Sequence, residues 1–367
     1  MSAITFADVA HPSLSFSKEL PADALVLALI DSAWVQRLRD ISQTANTRLV
    51  YMFSEHSRFG HCLGVAYLAK SLMDKLAAQF PDKVEPYRLA VSAAAILHDI
   101  GHIAPGSHTA YKTWFPGQPD HHEKIAAAII DSDSEINRIL EQHSGGQGAQ
   151  LAALVTKILC EDRTLPAWTW QIISGGGWNV DRGNWCIVDS VMAGVSYGRY
   201  NIDALTDSIT ITSSDELALT ENRLDAMTHF MVSRQAMYRQ MYQHRVLLAA
   251  DMINRAVVER ARDLGAKLPF CDEVMSKALA AKSAADLDLS VIFRMRESWW
   301  RYHVSCWASG SDEILRDLSN RLLNRRLFKT VRVRSSADLP QLRAQAEQAA
   351  SQLGLEARYY IHEVSTS

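Results

Sequence analysis

Residues 88–102 read RLAVSAAAILHDIGH, and the character of this run decides how the rest of the chain is understood. From Ala90 to Leu97 the side chains are small or apolar on every face of a helical wheel. A helix of that kind has no face for water, so the pattern predicts a central, buried helix over 86–101. Its end carries adjacent imidazole and carboxylate groups, His98 and Asp99. One helix end can thus offer a nitrogen and an oxygen to the same divalent ion, although two ligands alone hold a metal poorly. A lone pair of this type also has a bland explanation, in which His98 caps the helix and Asp99 accepts hydrogen bonds.

The flanking sequence favours the ligand reading. Upstream, RFGHCLGV (58–65) places His61 on a second amphipathic helix expected over 60–80. Downstream, WNVDRGNW (178–185) contributes Asp181 on a helix expected over 181–193. His102, His108, His121 and His122 follow the doublet closely, so with His98 this region holds five of the chain's 13 histidines. Such density suits a site that handles protons and phosphates.

Around this centre the pattern is helical, with expected helices at 22–42, 121–131, 135–143 and 151–160. Residues 1–26 look irregular or weakly extended, broken by Pro12 and Pro21. Residues 102–120 read as a loop. The clearest hairpin signal is 209–220, where ITIT, a Ser-Ser-Asp turn and ELALT follow one another. Residues 223–264 read as one long helix. Near the end, 326–333 and 357–364 read as strands around a helix at 340–353. The expected architecture is therefore mainly α, a helical bundle with a small C-terminal α+β appendage. Its divisions fall at 1–26, 27–265 and 266–367.

Composition narrows the function. A net charge of -3, with no basic run interleaved with aromatics, gives no indication of nucleic-acid binding. Phosphate recognition has to come from locally placed cations. The five cysteines are scattered and never spaced as CxxC, which argues against a disulfide framework or a structural zinc site. No secretory leader is legible, and the apolar stretches are too short to span a bilayer. A cytoplasmic location, with no membrane partner, is expected.

The ordered series RFGHCLGVAYLA, ILHDIGH, SHTAYK, HHEK and NVDRGNWCIVDS resembles the HD-domain deoxynucleoside triphosphate triphosphohydrolases. The similarity is to the branch of the human SAM- and HD-domain enzyme and its bacterial relatives. It extends over 29–254, through LIDSAWVQRLRDISQT and SRQAMYRQMYQHR, and faintly to NRRLFKTV. The resemblance implies an HD-domain bundle in which His61, His98, Asp99 and Asp181 bind a divalent ion (Mn, Fe, Mg, Co or Zn). It also implies that His102, His108 and His122 activate water or protonate the leaving oxygen. Arg58, Arg182, Arg234, Tyr242 and Arg245 would meet the triphosphate and sugar, and Gln43, Trp185 and Asp189 the sugar. A triphosphate carries about four negative charges, so a cation and several arginines suit it. A homo-oligomer is implied by analogy. Asp31, Gln36 and Arg39 lie where the human enzyme takes an activating nucleotide, in a pattern that also has a structural reading.

The chain departs from the family pattern at several points, among them one extra residue in the loop, at Ala104 or a neighbour. Asn184 and Trp185 replace an acidic residue and a tyrosine. Thr44 stands where a bulky apolar residue rejects a ribose hydroxyl, and Tyr111 stands where a carboxylate partners His108. These put the substrate in question more than the metal. Two other readings stay open. One is an HD phosphohydrolase or phosphodiesterase acting on another nucleotide or on single-stranded nucleic acid. The other is a non-catalytic nucleotide-sensing module.

Overall fold

In the computed structural model, which describes residues 2–106, 109–118, 122–333 and 335–365, the run expected to be buried forms the helix Arg88–Leu97. Every residue from Ala90 to Leu97 in it is buried. Its alanines and leucines are strong helix formers, so local preference and burial agree. The chain is mainly α-helical and divides into two units. The first comprises Met1–Thr44, Phe53–His102 and His121–Tyr238. The second comprises Ala45–Met52, Ile103–Asp120 and Arg239–Ser367.

In the first unit the Arg88–Leu97 helix is the axis. Pro21–Ile30, Arg58–Ala77 and Gly148–Leu159 pack against it, and His122–Ser132 and Ser134–His143 pack on the last of these. Val180–Met192 lies against Arg58–Ala77. Two of these helices have side-chain caps that set their start. Asp133 accepts from the Ile136 amide, and Asn179 accepts from the Arg182 amide. Such caps contribute about 1 kcal/mol each. The hairpin expected over 209–220 is present as β3 (Ile209–Ile211) paired antiparallel with β4 (Leu217–Leu219).

Several local expectations are corrected. Of the two expectations for the N-terminal segment the extended one holds, more firmly than expected: β1 (Ala3–Phe6) and β2 (Leu14–Ser17) form an antiparallel hairpin, with Leu14 and Phe16 buried. Four-residue strands are too short to show a clear alternation. The helix expected over 22–42 breaks into Pro21–Ile30 and Ala33–Arg37, because Ser32 is extended. The loop 102–120 contains a short helix, Ala110–Trp114. The long helix over 223–264 is three pieces: Leu224–Met237, a π-helical turn Tyr238–Tyr242, and Arg245–Leu264. His244 is extended and its Nδ1 accepts from the Val246 amide, which starts the last piece. In the C-terminal appendage the helix Leu339–Gln352 is present, but 326–333 carries no strand and Ala357–Tyr360 is a helical turn. The two segments still meet, through Phe328 stacked on His362 with ring centroids 5.7 Å apart.

In the second unit Arg245–Leu264 is the long element, packed by Glu313–Leu323, Ala357–Tyr360 and Ala110–Trp114. The tryptophans fill its core: Trp114 stacks on Trp299 and meets Trp300 edge-on, and Trp300 meets Trp307. Asp251 accepts from Asn46 Nδ2 at 2.8 Å and Thr109 Oγ1 at 3.3 Å. Burial pushes its carboxyl up from 3.8 to about 6, against the pull of those two hydrogen bonds. The raised value means that the folded state holds its proton when the unfolded chain has released it. Stability is therefore expected to fall as pH rises from about 4 to about 6. The full loss is at most about 3 kcal/mol, less to the extent that water reaches this half-buried group. Asp251→Asn removes that slope. Urea unfolding of both proteins between pH 4 and 7 checks it, and parallel curves would contradict it. No helix among the described residues is long and apolar enough to cross a membrane.

Candidate metal centre and catalytic site

The chain turns sharply after Leu97, with the Ile100 amide bonded to the Leu97 carbonyl and the His102 amide to the Asp99 carbonyl. This turn aims His98, Asp99 and His102 away from the helix axis. His98 Nδ1 donates to the Ala95 carbonyl at 2.9 Å, which leaves its Nε2 to face the cluster. That Nε2 is buried without a hydrogen-bond partner, 3.4 Å from Asp99 Oδ1 and 3.8 Å from Asp181 Oδ1. His61 Nε2 lies 3.0 Å from Asp181 Oδ1 and 3.9 Å from Asp99 Oδ2. Three helices thus bring the four expected ligands together.

A buried set of His61, His98 and Asp99 holds its ligand atoms within 4.8 Å of one another, and so does the set Asp99, His102 and His122. The first set can coordinate a divalent ion. An orphaned imidazole nitrogen facing two carboxylates is what a cation would satisfy, and a mixed nitrogen and oxygen set suits a borderline divalent metal. Burial pushes the neighbouring Cys62 thiol well above its ordinary value.

The electrostatics keep the carboxylates charged. Burial would raise Asp99, but Arg58 Nη1 at 2.5 Å, together with His98 and His102, holds it well below the usual carboxylate range. Burial likewise opposes the ionisation of Asp181, and His61 and His98 outweigh it. Burial works against a charge on His61 also; Asp181 and Asp99 overcome it and raise the ring. His102 goes the other way. Burial first, then Arg58 and His122, lower it to about 3, so it is neutral at pH 7. Its ring stacks on His122 at 4.1 Å. Gly101 permits this stack: a Cβ there would sit 2.1 Å from the His122 carbonyl oxygen.

Around the cluster, Gln43 and His56 are joined by a backbone hydrogen bond beside the Ser42–Ser57 bridge. Paired residues in such a ladder share a face. His56 Nε2 is 2.7 Å from Asp189 Oδ1, and both Gln43 Oε1 and His56 Nδ1 are buried without hydrogen-bond partners. Thr44 and Ser54 bond to each other through their hydroxyls at 3.0 Å. Arg182 Nη1 donates to the Gly176 carbonyl. Trp185 meets Tyr238 edge-on, and the Arg234 guanidinium lies 4.8 Å over the Tyr238 ring with its Nε lacking a hydrogen-bond partner. Tyr242, on the π turn, and the exposed Arg245 belong to the second unit. His108 and His121 lie outside the described residues. Gln36 is occupied locally: its amide donates to the Ile30 carbonyl and accepts from Arg39, whose guanidinium covers Phe59 at 3.6 Å. Arg37 is buried and donates to the Ile100 carbonyl, tying this segment to the His-Asp turn. Those contacts favour the structural reading of that pattern.

His56 and Asn184 are participants that sequence reasoning did not place. His56 precedes Arg58 by two residues, in a bridge that only the fold reveals. Asn184 appeared only as a departure from a pattern, yet its Oδ1 lies 2.9 Å from His61 Nδ1.

Residues 58–164 match the HD domain family. The chain is 30% identical over 317 residues to the uncharacterized protein YwfO of Bacillus subtilis, covering 84% of this chain and 68% of that protein. It is 32% identical over 124 residues to the deoxynucleoside triphosphate triphosphohydrolase SAMHD1 homolog of Dictyostelium discoideum, which is 32% of this chain and 23% of that one. The chain spans about half the length of several other curated relatives it matches. Its fold is similar to the crystal structure of a phosphohydrolase from Bacteroides thetaiotaomicron. The TM-score is 0.79 at 22% identity, covering 98% of this chain and 86% of that one.

Proposed function

The chain belongs to the HD-domain family that includes YwfO, and on that premise we propose that it is a divalent-metal-dependent hydrolase of nucleoside triphosphates, deoxynucleotides foremost. The observation that carries the reading is the orphaned His98 Nε2 facing Asp99 and Asp181 beside His61. His61, His98, Asp99 and Asp181 would hold the ion. When bound, such an ion supplies Lewis acidity to a phosphoryl oxygen and a nucleophilic water at neutral pH.

The chain's own residues supply the rest. Water oxygen attacks the α-phosphorus, the bond from phosphorus to the 5′ oxygen breaks, and that oxygen leaves with the electron pair and gains a proton. The products are nucleoside and inorganic triphosphate. Neutral His102, with Nε2 3.2 Å from Asp99 Oδ1, presents Nδ1 as a proton acceptor. His122, stacked on it, is the proposed donor to the leaving oxygen, together with His108. Gln43, Asp189 and Trp185 are assigned to the sugar. Arg58, Arg182, Arg234, Tyr242 and Arg245 are assigned to the phosphates.

Two consequences are measurable. Arg234→Ala is expected to lower kcat/KM on the order of 10- to 100-fold, the cost of one charged hydrogen bond, chiefly through KM. Steady-state kinetics on a dNTP checks this, and unchanged kinetics would remove Arg234 from the site. The class of substrate is tested by assaying each dNTP and NTP, singly and in pairs, with Mn²⁺, Mg²⁺, Fe²⁺ or Co²⁺. Turnover of single dNTPs is expected. Turnover only in mixtures points to an activating nucleotide, and turnover only of other phosphoesters overturns the substrate reading.

A further inference from the structure

Helix Arg58–Ala77 carries His61 and, one turn on, Gly64. A Cβ on Gly64 would lie 2.3 Å from Asn184 Nδ2 and 2.9 Å from its Cγ. The glycine therefore makes the room in which the Asn184 amide sits, fully buried on the Val180–Met192 helix. From there Asn184 faces two histidines at once. Its Oδ1 is 2.9 Å from His61 Nδ1, and its Nδ2 is 3.2 Å from His11 Nε2.

His11 comes from the connection between β1 and β2, where Asp8 Oδ2 accepts from both the Ala10 and His11 amides at 2.8 Å. Its ring packs against Tyr67, on the same helix as His61, with centroids 5.4 Å apart. Burial lowers His11, with Asp8 and Asp203 opposing, so the ring is neutral near pH 7 and its Nε2 can accept.

The chain of bonds has one consistent direction. Asn184 Nδ2 donates to His11, which turns Oδ1 toward His61. An amide oxygen only accepts, so His61 Nδ1 must carry a proton, and Nε2, 3.0 Å from Asp181 Oδ1, is the nitrogen left to face the cluster. A flipped amide would set an N–H donor against His61 Nδ1 and remove that acceptor. We propose that Asn184 and His11 are positioning residues that set the tautomer and orientation of His61, so that the N-terminal hairpin governs the affinity of the cluster for its ion. The proposal rests on the metal reading of the His61, His98, Asp99 set. Groups that orient a metal-ligating histidine typically change affinity 10- to 100-fold when removed.

The test is calorimetric titration of the full chain with Mn²⁺ and with Zn²⁺, joined to ring ¹⁵N spectra of the metal-free protein. Asn184→Leu is expected to weaken binding roughly 10- to 100-fold. Asn184→Asp keeps the acceptor for His61 and is expected to stay within a few-fold of the unmodified protein. His11→Phe keeps the ring packing, loses the anchor, and is expected to weaken binding by a smaller factor. In the unmodified protein His61 Nδ1 is expected to show the shift of a protonated nitrogen, and in Asn184→Leu a lower protonated fraction. Wild-type affinity in Asn184→Leu, equal losses in the Leu and Asp variants, or an unprotonated Nδ1 in the unmodified protein would each overturn the proposal. His61→Ala and Asp99→Ala separate the two levels. If they bind metal normally, the metal reading itself fails; if they abolish binding while Asn184→Leu does not, only the positioning role fails. Should the Leu variant not fold, the Asp and Phe variants and the ring spectrum decide.

Discussion

Asp99→Ala is expected to reduce turnover on the order of 10³-fold or more, because one carboxylate serves the whole centre. Asp99 belongs to both candidate ligand sets, the one with His61 and His98 and the one with His102 and His122. It is also the carboxylate partner of Arg58. Deleting it therefore has two effects that need separating. The first is loss of a ligand that no neighbour replaces. The second is a buried guanidinium deprived of a counter-charge, which costs about 3 kcal/mol in stability. Asp99→Asn distinguishes them. The amide oxygen still accepts from Arg58, so the expected stability loss is smaller, while its neutral oxygen is a poor ligand and turnover falls almost as far. Urea unfolding and metal titration of the two variants, alongside kinetics, report each effect. An Asn variant that keeps both metal and turnover would remove Asp99 from the centre.

Gly101→Ala is the second large effect. The added methyl would meet the His122 carbonyl oxygen at 2.1 Å and the Ala126 amide nitrogen at 2.9 Å. Both are backbone atoms of the His122–Ser132 helix, so no side-chain rotation relieves the clash. The helix must shift, at a cost of about 1–3 kcal/mol for overpacking. The shift moves His122 off His102, and a displacement of about 1 Å at a reacting group costs on the order of 10²-fold in rate. Metal affinity at His61, His98 and Asp99 is expected to change little. The variant should thus bind its ion and turn over slowly. Full activity, or loss of metal along with activity, would contradict this account of why a glycine precedes His102.

These two residues illustrate what could be read from the chain. Asp99 was legible because its helix is apolar all round and can only be central, so that its polar end had to have a purpose. His61 and Asp181 were legible because each sits in a short motif on its own helix. The hairpin at 209–220 was legible from alternation and turn residues. What escaped depends on partners distant in the chain. Asn184 and His11 are 173 residues apart, and no local pattern links them. His56 meets Asp189 across 133 residues. The interruption at His244 falls in a stretch whose composition favours continuous helix. The C-terminal segments 326–333 and 357–364 alternate as strands do, yet neither is a strand. Glycines 64 and 101 were visible in the motifs, but their reason is the close approach of another helix.

The most direct measurement incubates the full chain with a dNTP mixture and Mn²⁺ and resolves the products by anion-exchange chromatography. The account predicts nucleoside and inorganic triphosphate in equal amounts, with neither formed by Asp99→Asn. Nucleoside mono- or diphosphates as products, or no turnover while metal is demonstrably bound, would contradict it.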